Sequence, residues 1–191
     1  RIVDVLDDPT AKEIKAARLV ACPGCYPTAV LLALLPLAKA KLIVADGVII
    51  DAKSGVSGAG RTLKQNILFS ESGEGLSPYG IGNHRHVPEI EQELSAASGS
   101  RVTVNFTPHL VPMSRGELCT CYVVLAGKAT PGDLRAALAK AYAASPFVHV
   151  VEEGMIPATR HVRGSNFCHI GVFADRLPGR AIVISAIDNL V

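Results

Sequence analysis

Helical periodicity predicts the first packed elements of this chain. Apolar residues occupy positions 28–40 nearly all the way round a helical projection, which predicts a buried helix that Pro36 kinks or ends. Residues 88–98 predict a second helix, because a proline stands in its first turn and a glycine follows its end. A third helix is predicted over residues 130–144, with Thr130 as its N-terminal cap.

Strand patterns fill much of the remaining chain. Residues 101–107 alternate between apolar and polar positions, and residues 117–126 form a longer strand candidate. Residues 168–174 and 181–186 are joined by the turn sequence DRLPG, which predicts a hairpin. Because these strands are adjacent in the chain and do not alternate strictly with helices, the pattern favours an α+β fold, with a mainly antiparallel or mixed sheet and helices on one face. Shorter strands are predicted at 47–52 and 147–151, and glycine-rich loops at 54–60 and 70–83.

Composition limits the possible functions. The 191 residues are 49% hydrophobic and 19% charged, which excludes a disordered chain and fits one domain over residues 1–191. A net charge of +2, evenly spread, gives no reason to expect a nucleic-acid partner. The apolar run 28–40 is shorter than the roughly 20 residues that a membrane span needs, so no membrane association is predicted. The odd number of cysteines argues against a disulfide framework and favours a reducing compartment, the cytoplasm.

The sequence CPGCYPT at residues 22–28 is the sharpest local feature. Cys25 stands just before the predicted buried helix, where the helix dipole and free N–H groups favour an anion, so we expect a lowered thiol pKa and a nucleophilic role. Alternatively Cys25 is a small buried residue at a helix start. Cys22 and Cys25 also permit a dithiol redox pair, or a zinc site completed by Cys119 and Cys121, although those two are more easily read as apolar packing on one sheet face.

Two further loops carry candidate chemistry. Residues 82–89, GNHRHVPE, place two histidines ahead of a helix start, and a thiolate nucleophile commonly needs an imidazole partner. Residues 53–61, KSGVSGAGR, offer backbone N–H groups and allow the main chain to approach a ligand, although a tight turn explains the glycines equally well. The remaining histidines are interpreted as structural or surface residues.

Together these motifs resemble N-acetyl-gamma-glutamyl-phosphate reductases. The resemblance rests on four segments in matching order and spacing: PGCYPT at 23–28, SGVSGAG at 54–60, GNHRHVPEI at 82–90 and TPHLVPMSRG at 107–116. It extends over residues 15–191 and to the wider aspartate-semialdehyde dehydrogenase group. It implies the fold of the catalytic domain of glyceraldehyde-3-phosphate dehydrogenase.

The resemblance implies a reaction and a role for several residues. An NADPH-dependent enzyme would reduce N-acetyl-glutamyl 5-phosphate, a small acyl phosphate, to the 5-semialdehyde in arginine biosynthesis. Cys25 would attack the acyl phosphate and form a thioester, and His84, with His86 as the alternative, would be the acid–base partner. The implied substrate-binding residues are His86, Tyr79, Ser54 and Arg115, the implied cofactor-binding residues are Ser57, Gly58 and Asn189, and no metal is implied. Lys53, Arg61, Arg85 and Arg115 are cationic candidates for holding the phosphate.

The resemblance also implies that the nucleotide-binding half is absent from this chain. No glycine-rich dinucleotide motif follows a strand at the start, so residues 1–191 are expected to be the catalytic and subunit-contact domain of a longer homo-oligomer, a dimer or tetramer. We expect this chain alone to be inactive. The related aminoadipyl-phosphate reductase of lysine synthesis, and a thiol-redox or zinc module using Cys22 and Cys25, are the alternatives.

Overall fold

The computed structural model describes residues 15–20 and 22–190, and in this part of the chain helices pack on a mixed sheet. The expectations for residues 1–14 therefore lie outside the described residues. The helices are α1 (Cys25–Lys39), α2 (Phe69–Ser72), α3 (Val87–Ser98) and α4 (Pro131–Ala141). The strands are β1 (Ile43–Gly55), β2 (Ser77–Pro78), β3 (Asn105–Val111), β4 (Glu117–Leu125), β5 (Val148–Val150), β6 (Cys168–Ala174) and β7 (Arg180–Ile187).

The sheet confirms the predicted fold class. Its seven strands are ordered β2-β3-β1-β4-β7-β6-β5. Two pairs, β1 with β3 and β5 with β6, are parallel, and the others are antiparallel. The predicted hairpin is the antiparallel β6–β7 pair. Helix α1 contacts β1, β4 and β7 as well as α3 and α4, so it lies at the centre of the helical layer.

Helix α1 is longer than predicted and contains Pro36 in its interior. It begins at Cys25 and continues to Lys39, so Pro36 does not end it. A proline has no N–H to donate to the carbonyl four residues earlier, which here belongs to Leu32. The hydroxyl of Tyr142 donates to that carbonyl oxygen at 2.5 Å. The fold therefore satisfies the acceptor that the proline leaves open.

The strand predicted at residues 101–107 is shifted. Strand β3 runs from Asn105 to Val111 and pairs with β1 from Ile49↔Asn105 onwards. The residues before it keep the predicted apolar alternation, with both valines buried. Their backbone N–H groups are bound by side chains and not by a strand partner: Val102 N–H donates to Ser95 Oγ at 2.9 Å, Thr103 N–H to Asp46 Oδ1 at 2.8 Å and Val104 N–H to Glu91 Oε1 at 3.1 Å.

The predicted loop at residues 54–60 is also more ordered than expected. Ser54 and Gly55 belong to β1, and Val56–Ala59 form a short 3₁₀ helix. Gly55 is packed so closely that an added Cβ would lie 2.8 Å from the backbone nitrogen of Arg115. This segment and the one before β4 are thus held against each other, which fixes the end of β1.

The two faces of the sheet differ. One face carries the core beneath the helices, including Ile50, Cys121 and Val183, all of which are fully buried. Helices do not cover the other face among the described residues. On it Ile49, Tyr122, Ile182 and Phe173 form a continuous apolar row, because the register pairs Tyr122 with both isoleucines and Ile182 with Phe173. No helix among the described residues is long and apolar enough to cross a membrane.

Candidate active site

Cys25, the candidate nucleophile, is the first residue of α1, whereas the sequence predicted it just before the helix. Gly24 is the N-cap, and its carbonyl accepts from Thr28 N–H at 3.0 Å and from Thr28 Oγ1 at 2.8 Å. The carboxylate of Glu89, in the first turn of α3, accepts from the backbone N–H of Gly24. These contacts fix the loop before the cysteine, and the Cys25 side chain is half-buried at its end.

Two imidazoles lie beside this loop. An ideal Cβ on Gly24 would overlap with Nε2 of His86, so the His86 ring lies directly against the residue before Cys25. The ring of His84 lies 4.9 Å from that of His86, measured between centroids. His84 Nδ1 accepts from the backbone N–H of His86 at 3.2 Å, and we therefore assign the ring proton of neutral His84 to Nε2.

Both imidazoles are held neutral. Burial lowers the pKa of His84, and the positive charge of Arg85 lowers it further. Burial, His84 and Arg85 together lower the pKa of His86 to about 4. A neutral imidazole can accept a proton at physiological pH, which suits an acid–base role. His86 Nδ1 is buried and has no hydrogen-bond partner among the described residues.

The aromatic residues around His84 form the floor of this cluster. The rings of Tyr26, Tyr79 and Phe106 lie 5.6, 5.4 and 5.2 Å from the His84 ring between centroids. The hydroxyl of Tyr79 donates to that of Tyr26 at 3.0 Å. Burial raises the pKa of both tyrosines. Tyr79, a predicted substrate-binding residue, is therefore brought to the same site as Cys25 and both histidines.

The expected lowering of the Cys25 pKa is wrong for this resting structure. Backbone N–H groups of Cys25 and Tyr26 do lower the pKa of the thiol, as the helix start predicts. Burial outweighs them, and the carboxylate of Glu117 raises the pKa further by its charge and by accepting a hydrogen bond from the thiol. Cys25 therefore holds its proton in this state, and a base must remove it before the sulfur can attack.

Glu117 lies beside Cys25 and was not among the residues predicted from the sequence. Its side chain is fully buried, and burial raises the pKa of its carboxyl group to about 8. Oε1 accepts from Cys119 Sγ at 3.8 Å, while Oε2 has no well-aligned hydrogen bond among the described residues. The available signal was the alternation of β4, where Glu117 shares the inward face with Cys119 and Cys121.

The other predicted residues form a second cluster at the end of β1. The amide of Asn189 donates from Nδ2 to Ser57 Oγ at 3.0 Å, and its Oδ1 accepts from Gly116 N–H at 2.7 Å. An added Cβ on Gly58 would lie 2.8 Å from Ser54 Oγ and 3.2 Å from Asn189 Nδ2. Asn189 thus holds the glycine loop against the start of β4.

Arg115 and Ser54 border this second cluster. Arg115 Nε lies 3.3 Å from Oδ2 of the buried Asp188, whose carboxylate also accepts from Gly164 N–H at 2.6 Å. Ser54 is buried and is paired in register with Glu117. Glu117 therefore stands between the two clusters, beside Ser54 on one side and Cys25 on the other.

The cationic candidates separate into paired and exposed side chains. Lys53 forms a salt bridge with Asp51, whose Oδ1 also lies 3.3 Å from His109 Nδ1, and Arg115 is paired with Asp188. Arg61 and Arg85 are exposed. Of the two, Arg85 is the cation whose charge reaches the histidine cluster.

The zinc hypothesis finds no support. The described residues contain no group of three or more histidine, cysteine or acidic side chains that could hold a metal ion. Cys119 and Cys121 are completely buried in the core, which confirms their interpretation as packing on one sheet face, whereas Cys22 is exposed. All five cysteines are free, so Cys22 and Cys25 do not form a disulfide.

Comparison with known proteins places this arrangement in a family. The family model described as "Semialdehyde dehydrogenase, dimerisation domain" matches residues 25–189. The chain belongs to this family. The match begins at the candidate nucleophile and ends at the asparagine of the second cluster, so it includes every predicted site residue.

Curated relatives narrow the resemblance to one enzyme type. The chain is 56% identical over 190 residues to the probable chloroplastic N-acetyl-gamma-glutamyl-phosphate reductase of Arabidopsis thaliana, covering 100% of this chain and 47% of the relative. It is 59% identical to the N-acetyl-gamma-glutamyl-phosphate reductase of Rhodospirillum rubrum, covering 93% of this chain and 51% of the relative. The recognition made from the motifs is confirmed. The chain spans about half the length of these relatives.

Solved structures show the same fold. Aspartate semialdehyde dehydrogenase II from Vibrio cholerae superimposes with a TM-score of 0.76 at 16% identity, covering 98% of this chain and 62% of that one. A probable aspartate-semialdehyde dehydrogenase from Pseudomonas aeruginosa gives a TM-score of 0.70 at 18% identity, covering 97% and 61%. At these identities the comparison concerns the fold alone.

Proposed function

We propose that this chain is the catalytic and subunit-contact domain of an NADPH-dependent reductase that converts N-acetyl-glutamyl 5-phosphate to N-acetylglutamate 5-semialdehyde in arginine biosynthesis. The observation that carries the proposal is Cys25 at the start of α1, with the His86 ring against the preceding residue. The names of the similar reductases support this substrate. No structural observation favours the aminoadipyl substrate or a redox module.

The chemistry begins with Cys25. Its sulfur attacks the acyl carbon, the bond from that carbon to the phosphate oxygen breaks, and a thioester forms as phosphate leaves. N–H groups at the start of α1 are suited to stabilise the oxyanion that develops during the attack. After hydride addition to the thioester, the carbon–sulfur bond breaks and releases the aldehyde and the thiolate.

The contacts favour an exchange of the roles expected for the two histidines. His86 lies against the cysteine loop, and its unpartnered Nδ1 is free to take up a proton from water and then deliver it to the departing phosphate. The Nδ1 of His84 is already occupied by the backbone of His86, and its ring is packed among aromatics. We therefore propose His86 as the acid–base group and His84 as the residue that positions it.

Substrate binding is proposed for Tyr79, Arg115 and Ser54, as the resemblance implies. Tyr79 borders the histidine cluster through its ring contact with His84. Arg115 remains half-exposed although Asp188 orients it, so its guanidinium is available for the substrate carboxylate. Ser54 is buried, so its side chain contributes by supporting Gly58. Arg85 is the cation best placed for the phosphoryl group.

Ser57, Gly58 and Asn189 fit one edge of a nicotinamide cofactor site. NADPH, when bound, supplies the hydride. Gly58 lacks a side chain, which lets Ser54 and Asn189 pack against its backbone, and Asn189 holds Ser57 in place. The loop backbone is thereby fixed where the cofactor would approach it. The fit is confined to this edge, and we propose that a separate domain binds most of the nucleotide. The chain alone, residues 1–191, is then expected to be inactive.

The uncovered sheet face is proposed as the contact with a second copy of the chain. Its apolar row of Ile49, Tyr122, Ile182 and Phe173 is continuous across four strands, and Ile49 is 43% exposed. Contiguous apolar surface of this kind usually marks an interface. The family description as a dimerisation domain supports a homo-oligomer. We place the enzyme in a reducing compartment, the cytoplasm, although the similar plant proteins are named chloroplastic.

Substitution of the nucleophile tests the proposal. In the complete enzyme, Cys25→Ser is expected to abolish reduction of the acyl phosphate, because a hydroxyl cannot replace the thiol in forming a thioester that hydride reduces. Cys22→Ser is the matched control and should retain activity, since Cys22 is exposed and outside the cluster. Loss of activity in Cys22→Ser as well as in Cys25→Ser would instead support the redox hypothesis. Near-normal turnover in Cys25→Ser would exclude the mechanism.

The same assay distinguishes the roles of the two histidines. His86→Asn is expected to lower turnover by roughly 10²–10⁴-fold as an acid–base residue, and His84→Asn by a smaller factor. The reverse order would restore His84 as the acid–base group.

A further inference from the structure

Glu117 is a buried carboxyl group that the proposed chemistry has not yet used. It is fully buried, its Oε2 has no well-aligned hydrogen bond among the described residues, and none of their salt bridges includes it. Burying a charge without a counter-charge is unfavourable, so an unpaired carboxyl of this kind calls for an explanation. Packing alone would be served better by an apolar residue at this inward position.

The fold places the Glu117 carboxyl group next to the Cys25 thiol. Strand β4 lies directly under α1, and Glu117 is its first residue, flanked in register by Ser54 of β1 and Ile187 of β7. From there the carboxyl interacts with two thiols, Cys119 on its own strand and Cys25 at the helix start. The titratable groups on which its charge acts are Cys25 and Tyr26 of α1, Cys119 of β4, Cys168 of β6 and Tyr79 in the β2–α3 loop.

All of those neighbours are thiols or phenols, which are neutral when protonated. The carboxyl thus has a proton donor beside it, the Cys25 thiol, and no cation that would hold it as a permanent anion among the described residues. The imidazole of His86, by contrast, lies against the backbone of Gly24. The Cys25 thiol donates to the Glu117 carboxylate, and this leaves the imidazole for the phosphate.

We propose that the Glu117 carboxylate is the base that takes the proton of the Cys25 thiol during attack and returns it when the sulfur leaves. The inference deepens the proposed function and rests on it. In the first step the S–H bond breaks, an O–H bond forms on Glu117, and the sulfur electron pair forms the bond to the acyl carbon as phosphate leaves. In the last step the carbon–sulfur bond breaks and the thiolate regains the proton from Glu117. No net proton is gained or lost by the pair.

Alkylation of Cys25 tests this without substrate or cofactor. The rate of modification by iodoacetamide is measured from pH 6 to 10 in the full chain, with each cysteine followed by peptide mass spectrometry. In the wild type the Cys25 rate is expected to rise with a midpoint near pH 8, where the carboxyl loses its proton. In Glu117→Gln the base is absent, so the rise near pH 8 should disappear and the rate at pH 8 should fall roughly tenfold. The thiol then reacts only through its own ionisation, which burial alone keeps above pH 9.

The opposite sign would overturn the proposal. If Glu117 only repels the thiolate, Glu117→Gln lowers the midpoint and alkylation becomes faster; an unchanged profile also contradicts the role. The buried Cys119 and Cys121 report folding in the same experiment, because they remain unmodified while the core is intact. Should Glu117→Gln expose them, Glu117→Asp, which keeps the carboxyl, decides the question: its midpoint must stay below 9. Because iodoacetamide requires no acyl-phosphate site, this outcome is independent of the reductase assay.

Discussion

The imidazole of His86 and the backbone of Gly24 are in direct contact. All three ring atoms nearest to an ideal Cβ on Gly24 would lie within 2.8 Å of it, so any larger residue at position 24 displaces the ring. The glycine before Cys25 is therefore needed for the ring as well as for the chain.

Gly24→Ala is expected to lower the turnover of the complete enzyme by roughly 100-fold, because a displacement of about 1 Å of a catalytic group has that effect. Steady-state kinetics measure the change, and the urea midpoint shows whether the fold is retained. Gly75→Ala is the control, since its Cβ would make only an ordinary contact of 3.8 Å. Normal turnover in a folded Gly24→Ala variant would show that the ring position is unimportant.

His86 should also make stability depend on pH. Its pKa is lowered to about 4 by burial, so between that value and its unfolded pKa near 6.5 the unfolded chain binds more protons than the native one. Stability therefore falls as the pH is lowered through this window and is constant above it. Because the ring is partly exposed, we expect an effect of about 1 kcal/mol. Urea unfolding at pH 4.5, 5.5 and 7 should show a weaker dependence in His86→Asn than in the wild type.

Asn189 is expected to act on the cofactor through the glycine loop. Asn189→Ala removes hydrogen bonds to Ser57 and Gly116 and should destabilise the protein by about 1–2 kcal/mol. In the complete enzyme the KM for NADPH should rise while the KM for the acyl phosphate changes little. Asn105→Ala, at an exposed position on β3, is the control and should alter neither. If both substitutions had equal effects on the KM for NADPH, the glycine loop would not be part of the cofactor site.

If the apolar row on the open sheet face is the subunit interface, a charge introduced into it should prevent assembly. Ile182→Glu places a carboxylate in the middle of that row and should convert the oligomer to monomers, as measured by sedimentation velocity. Leu177→Glu, at an exposed position in the β6–β7 turn, is the matched control and should leave the mass unchanged. An Ile182→Glu oligomer of unchanged mass would place the interface elsewhere.

Local patterns were sufficient to predict most elements of this fold. Helix α4 begins as predicted, with Thr130 and Asp133 forming a reciprocal capping box, and Gly99 ends α3 in a left-handed conformation at φ 77°. Strand β3 was misplaced because alternation shows which side chains are buried, not which backbone groups find a strand partner. The N–H groups before the strand donate to the side chains of Ser95 and Glu91, so those residues do not pair with a neighbouring strand.

The sequence was sufficient to predict the site residues that lie within short motifs. Cys25, His84 and His86 lie in two short motifs, and the structure brings these motifs together. Glu117 could not be recognised in this way, because its importance depends on a contact between the first residue of β4 and a helix 92 positions earlier in the chain. The pKa of Cys25 was mispredicted for the same reason: the helix start is visible in the sequence, but the opposing carboxylate is not.

The hydroxyl that completes α1 has a consequence for biosynthesis. Leu32 and Tyr142 are 110 positions apart, and the carbonyl that Pro36 leaves open receives its hydrogen bond from that distant hydroxyl. While the polypeptide leaves the ribosome, this carbonyl must rely on water until Tyr142 has been added and has folded back onto the helix. The helix that presents the thiol therefore depends, for its last backbone acceptor, on a residue translated long after it.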